Sequence, residues 1–217
     1  MTEEIKKEQP QEEKMDTKPD EQGSFNVEGH IKIFDPESGE VYINKRNAIH
    51  YENISLALAQ NLANSGQGFV YEMVFGNGGT NVDPTGIITY LTPNTVGTNS
   101  TLYNETYSKV VDDNSVSNTD PTRNYIEVKH LTGTTYSDMI ITCLLDYGDV
   151  PGQEAFDNVS SINDVATFDE LGLRGYNPAG TGKLLTHVIF HPVQKSLNRL
   201  VQIDYTVRIQ SLSGFSG

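Results

Sequence analysis

The strongest constraint on the fold lies near the end of the chain. There Val201, Ile203, Tyr205, Val207 and Ile209 alternate with Gln202, Asp204, Thr206, Arg208 and Gln210. Only a two-residue period puts all the apolar members on one face, so this stretch is a strand with a dry side and a wet side. Leu184 to His191 is apolar and β-branched and reads as its neighbour, with 195–199 as connector.

The same reasoning finds more strands upstream. Ile31, Ile33, Val41 and Ile43 flank Asp35-Pro36-Glu37-Ser38-Gly39-Glu40, whose Pro, Ser and Gly are turn residues, which predicts a β-hairpin. Strand candidates follow at 68–75, 87–91, 106–111, 124–131 and 139–145, with 168–173 as a short strand or edge segment. From about Ala48 to Ala63 the period changes. Ile54, Leu58 and Leu62 recur every fourth residue, which predicts a helix capped by Asn47 and stopped by Asn64-Ser65-Gly66. About eight to nine strands with one helix and no βαβ alternation predict a mainly β fold, an antiparallel β-sandwich or jelly-roll-like domain with one short amphipathic helix.

The domain is expected over 24–211. Residues 1–23 carry eight carboxylates, four lysines and no aromatic residue, so they form an acidic arm expected to be disordered when free. That arm is either a solvated leader or a segment that orders against a neighbouring subunit. Residues 212–217 are expected to be a flexible end, and the acidic, turn-rich 146–163 a long loop.

With 217 residues, the chain can bury a core without disulfide or metal staples. Its single cysteine, Cys143, lies in the apolar run 139–145 and reads as a core residue. The net charge of −14 disfavours nucleic acid, whose binding rests on neutralising phosphates. The N-terminal residues hold no apolar stretch for a secretory signal, and no run of about 18 apolar residues predicts a membrane span. The glycosylation triplets at Asn53, Asn99, Asn104 and Asn158 are therefore read as chance.

Motifs that could carry chemistry are few. Gly76-Asn77-Gly78-Gly79-Thr80 invites a phosphate-loop reading, but Asn81-Val82-Asp83-Pro84 follows where Lys-Ser/Thr and a helix are needed, so it reads as a structural loop. Asn77, Asn81 and Asp83, and separately Asp112, Asp113, Asn114 and Asp120, are oxygen-rich but lack calcium-loop spacing, and read as turns. His187 and His191 fall on one strand face about 13 Å apart, too far to share a metal, and His30, His50 and His130 stand alone. Eleven tyrosines sit mostly in strand contexts, as half-buried sheet positions or as interface anchors. No catalytic, cofactor-binding or metal residue is assigned, and the chain is expected not to be an enzyme.

Three blocks carry a resemblance: Ile31-Lys-Ile-Phe-Asp-Pro-Glu-Ser-Gly-Glu-Val running through Asn47 to Ala59, Leu144 to Gln153, and Leu184 to Gln194 with Arg199 to Ile209. Together they resemble virion structural proteins of large contractile-tailed bacteriophages, the T4-like viruses and their relatives. The resemblance implies a particle component of the capsid, neck/collar or tail, assembled in the host cytoplasm. Its partners would be other virion proteins and further copies of itself, with no nucleic acid, membrane or cofactor. The alternative is a carbohydrate- or receptor-binding β module of a fibre or baseplate, which predicts exposed aromatics beside the loops at 77–83 or 112–120.

Overall fold

The computed structural model describes residues 23–153 and 166–213, so residues 1–22 of the arm, residues 154–163 of the acidic loop and the last four residues lie outside the described residues. The chain is a β-sandwich, and each strand pair in it is antiparallel. One sheet holds β1 (Gly23–Phe34), β2 (Val41–Arg46), β8 (Tyr125–His130), β9 (Tyr136–Leu145) and β12 (Val201–Ser213), in the order β2-β1-β12-β9-β8. The other holds β3 (Ala48–Ile49), β4 (Val70–Gly76), β7 (Glu105–Val110), β10 (Thr167–Gly175) and β11 (Thr186–Gln194), in the order β3-β11-β10-β4-β7. A small hairpin pairs β5 (Thr80–Val82) with β6 (Ile88–Tyr90).

The alternation in β12 is realised: Val201, Ile203, Tyr205 and Val207 are buried, with half-buried polar residues between them. They join Ile31, Ile33, Ile141 and Cys143 of their own sheet and Met73, Phe75, Leu171, Val188 and Phe190 of the other in one core. The predicted hairpin is β1–β2. Asp35 Oδ1 accepts from the amides of Glu37 and Ser38 at 2.8 and 3.2 Å, and Gly39 takes φ +76°, where a Cβ is disfavoured.

Several expectations need correction. The helix α1 runs Tyr51–Leu62, later than expected, because Ala48 and Ile49 are captured as β3 by His187 and Thr186. Its cap is His50, whose Nδ1 accepts from the Asn53 amide at 3.2 Å, while Asn47 turns its side chain to the Tyr205 hydroxyl. A cap is worth only about 1 kcal/mol, so a sheet ladder and a buried tyrosine outweigh it. The buried stripe is also rotated: Asn53 and Ala57 face inward, and Leu62 is 89 % exposed. Asn53 satisfies the Leu184 carbonyl at 2.8 Å, and Ala57 is small enough to lie against Gly68.

The segment 168–173 is no edge. β10 lies between β11 and β4, the most enclosed position of its sheet. Among the described residues there are twelve strands rather than eight or nine, since β3 and β5 are too short to show a period. β1 starts one residue before the expected boundary, at Gly23. β12 continues past 211, where Leu212 and Ser213 pair with Ser24 and Gly23.

Candidate functional site

An acidic pair stands in the middle of the second sheet. Asp169 and Glu170 are buried on β10, where an unpaired carboxylate would be prohibitively costly. Both are met by the glycine loop that links β4 to β5. Glu170 Oε1 accepts from the amides of Gly78 (3.1 Å) and Asn104 (2.8 Å). Its Oε2 accepts from the Tyr103 amide (2.9 Å) and from His187 Nε2 (3.0 Å). Asp169 accepts from the Gly79 and Thr80 amides at 2.8 and 2.9 Å and from the Thr80 hydroxyl.

His187 completes the arrangement. Its Nδ1 accepts from the Asn94 amide at 2.7 Å, so the ring proton sits on Nε2, where it is donated to Glu170. The three side chains thus pin two covering segments, the loop 77–80 and the crossing 91–104, to the outer face of the sheet. Beneath that cover Val74, Leu102 and Leu184 form a small second core.

The glycines are needed for this approach. A Cβ on Gly76 would stand 2.5 Å from the Asn104 carbonyl oxygen and 2.6 Å from Glu170 Oε1, and one on Gly78 2.8 Å from the Asn104 nitrogen. The loop is an amide cradle for anions, as its glycines suggest, but the anions it holds are carboxylates of its own chain. Its amides are already used, which leaves no cradle for a phosphate.

The two carboxyls respond in opposite directions. Burial alone would raise Glu170, yet the His187 bond and the Asn104 and Tyr103 amides outweigh it and hold the group below the usual range. Burial pushes Asp169 up against its Thr80 and Gly79 hydrogen bonds, and the neighbouring Glu170 charge adds to the rise.

A second cluster of charge lies where β7, β9 and the turn after β9 meet. Lys109 pairs with Asp149, which also accepts from the Tyr107 hydroxyl at 3.3 Å. Nearby Lys195 is fully buried, donating to Gln153 Oε1 and the Ser196 carbonyl at 2.8 Å each, and burial lowers it to about 8. Burial pushes the Cys143 thiol up to about 12, so it stays protonated and inert at neutral pH. In the second sheet, Arg174 of β10 bridges Glu72 and takes Glu105 with both terminal nitrogens.

The oxygen-rich loops serve as turns. Asp83 accepts from the Thr85 hydroxyl and amide and the Ile87 amide, which holds its carboxyl below the usual range. Asn77 takes the Asn104 side chain at 2.6 Å, and Asn81 sits in the β5–β6 ladder. Asp112 accepts from the Asn114 amide, and Asp120 holds Arg123 and Thr122. Among the described residues no group of three or more His, Cys, Asp or Glu side chains gathers to hold a metal.

Of the remaining histidines, His191 is exposed, with the Tyr90 hydroxyl 3.3 Å from Nδ1, and His50 bonds the Gly97 carbonyl at 3.0 Å. The tyrosines divide. Tyr205 is fully buried in the core, whereas Tyr90 and Tyr103 are 51 % and 43 % exposed beside the glycine loop. Among the described residues no helix is long and apolar enough to cross a membrane. Set against protein-family models, curated proteins and solved structures, the chain matches none.

Proposed function

We propose that this chain is a building block of a tailed-phage particle, in the capsid, neck/collar or tail, that acts by docking onto other virion proteins and performs no chemistry of its own. One observation carries the reading: the convergent ionisable groups Asp169, Glu170 and His187 are each committed to backbone amides or to one another, as fasteners of a cover. A general acid or base needs a proton site that reaches substrate. Here the proton sites are buried and occupied from within the chain. The resemblance of three sequence blocks supplies the particle context. Those blocks form the β1–β2 hairpin with α1, the end of β9 with its turn, and β11 with β12.

Quantitative mass spectrometry of purified particles encoding this sequence tests the proposal. The chain should be present in a fixed ratio to known structural proteins, and its absence would refute the particle role.

A second reading has one observation in its favour. Tyr90 and Tyr103 are exposed beside the loop 77–83, where a sugar-binding face would place them. Glycan arrays probed with the wild type and the Tyr90→Ala variant distinguish it: binding lost in the variant supports a receptor module, and no binding by either removes it.

A further inference from the structure

The edges of a sandwich are where a second chain can add. β1 is paired with β12 along all twelve of its residues, but on its other side β2 covers only His30 to Phe34. The last contact on that side is the Asn47 amide to the Gly29 carbonyl at 3.1 Å, after which the chain crosses to β3 in the other sheet. From Gly23 to Val27, and up to Gly29, that edge has no strand beside it among the described residues. A surface groove of about 410 Å³ lies beside it, bordered by Val27, Glu28, Arg46, Asn47, Tyr51 and Thr95.

The chemistry of this edge is unusual in the molecule. In an antiparallel strand, the N–H and C=O of one residue point to the same side and the next residue's to the other. Since the Gly29 carbonyl points away from β12, so do the backbone groups of Val27 and Phe25, and they face the gap. The other long edges carry charges that discourage pairing: Lys45 and Arg46 on β2, Glu105 and Lys109 on β7, Glu127 and Lys129 on β8. Gly23 to Val27 carries none, and Phe25 is 73 % exposed on the face that becomes the core further along.

The stretch is self-complementary. Laid antiparallel on itself about a two-fold axis through Asn26, it sets Phe25 against Val27 of the partner subunit and Ser24 against Glu28 of the partner subunit. Phe25 and Val27 are the residues whose backbone groups face outward, so these become the hydrogen-bonded pairs. Glu28, the one charge from 23 to 29, falls opposite Ser24 of the partner subunit, and no like charges meet. The span fits the gap: β2 ends with Arg46 opposite His30 and Asn47 takes the Gly29 carbonyl, so the free edge and the paired stretch both stop at Glu28.

We infer that two copies of this chain join edge to edge along Ser24–Glu28, making one continuous sheet across a two-fold axis. This deepens the docking reading by naming a partner and a surface, and it is tested on purified full-length protein, so its failure leaves the particle role to its own test.

The variant Asn26→Cys reads the geometry directly. Residues opposite one another at a non-hydrogen-bonded position lie about 4.5 Å apart at Cα, within disulfide range. Under mild oxidation it should form a covalent dimer, while Ser24→Cys, which faces Glu28 of the partner subunit, should not. The native Cys143 is buried and does not compete. In sedimentation velocity the wild type should be dimeric. Phe25→Pro removes the outward N–H together with the ring that faces Val27 of the partner subunit and should weaken dimerisation at least about tenfold, with an unchanged circular dichroism spectrum showing that it folds. A monomeric wild type, or equal cross-linking of the two cysteine variants, would overturn the inference.

Discussion

Replacing Glu170 by Gln exchanges one oxygen for an NH₂ group and changes almost no volume, yet it should be among the most damaging substitutions in the molecule. The carboxylate faces four donors and no acceptor: the amides of Gly78, Asn104 and Tyr103, and His187 Nε2. An amide places NH₂ where one carboxylate oxygen stood, so two donors then face a donor whichever way it is turned. His187 cannot rescue the arrangement by moving its proton, because Nδ1 would then oppose the Asn94 amide. Two buried unsatisfied donors at about 1–3 kcal/mol each give a loss of about 2–6 kcal/mol. For a chain of 217 residues that lowers Tm by about 4–24 °C, at about 2–4 °C per kcal/mol.

Urea unfolding followed by circular dichroism measures this loss, and repeating it across pH checks its origin. Glu170 is held below its ordinary range, so its contribution is present above the unfolded carboxyl value near 4.3 and is lost as pH falls through the lower folded value. The gap between wild type and variant should be widest above about pH 5 and should narrow in acid. Asp169 has the opposite sign: raised in the fold, it lowers stability as pH rises from its unfolded value through its folded one. A Glu170→Gln loss no larger than the ~0.5 kcal/mol of an ordinary surface change would refute the fastening role.

Other substitutions separate the structure from the sequence pattern. Gly76→Ala should cost about 1–3 kcal/mol in thermal unfolding, through collision with the Asn104 carbonyl and displacement of Glu170. On α1, Ala57→Leu should destabilise by about 1–3 kcal/mol while Leu62→Gln stays within about 0.5 kcal/mol, the reverse of the order that the Ile54, Leu58, Leu62 period implies. Iodoacetamide should leave Cys143 unmodified in native protein and label it in urea, because the thiol is buried and raised to about 12; rapid native labelling read by mass spectrometry would contradict its place in the core.

The sandwich was legible because its longest strands have one dry face. The alternation from Val201 to Ile209 and the turn residues between Ile33 and Val41 are local signals, and they locate the start of β12 and the turn of the β1–β2 hairpin, while the outer ends of β1 and β12 run further than the pattern. The helix was legible in kind but not in facing. Its apolar period marks a stripe, whereas the buried face is set by a polar contact, Asn53 to Leu184, and by the close approach of Gly68. Neither is a property of the helix alone.

The carboxylate site was half visible. The glycine loop invited a phosphate-loop reading and, lacking the phosphate signature, read as a structural loop, and the acidic pair Asp169-Glu170 sat inside the strand candidate 168–173. Each half is a loose end: amides without an anion, and carboxylates in a dry strand without donors. The partners lie about ninety residues apart, at 92 for Gly78 with Glu170 and 90 for Gly79 with Asp169. Joining them needed the register of β10 on β4, where Glu170 lies opposite Gly76, and sequence periodicity carries no such information.

A high-resolution reconstruction of the intact phage particle whose genome encodes this chain puts the whole account at risk. It should show the two-layered sandwich in repeated, symmetry-related density, with its faces against neighbouring proteins and the cover over Glu170 closed. A complete map built from other proteins, with no density for this sandwich, would contradict it.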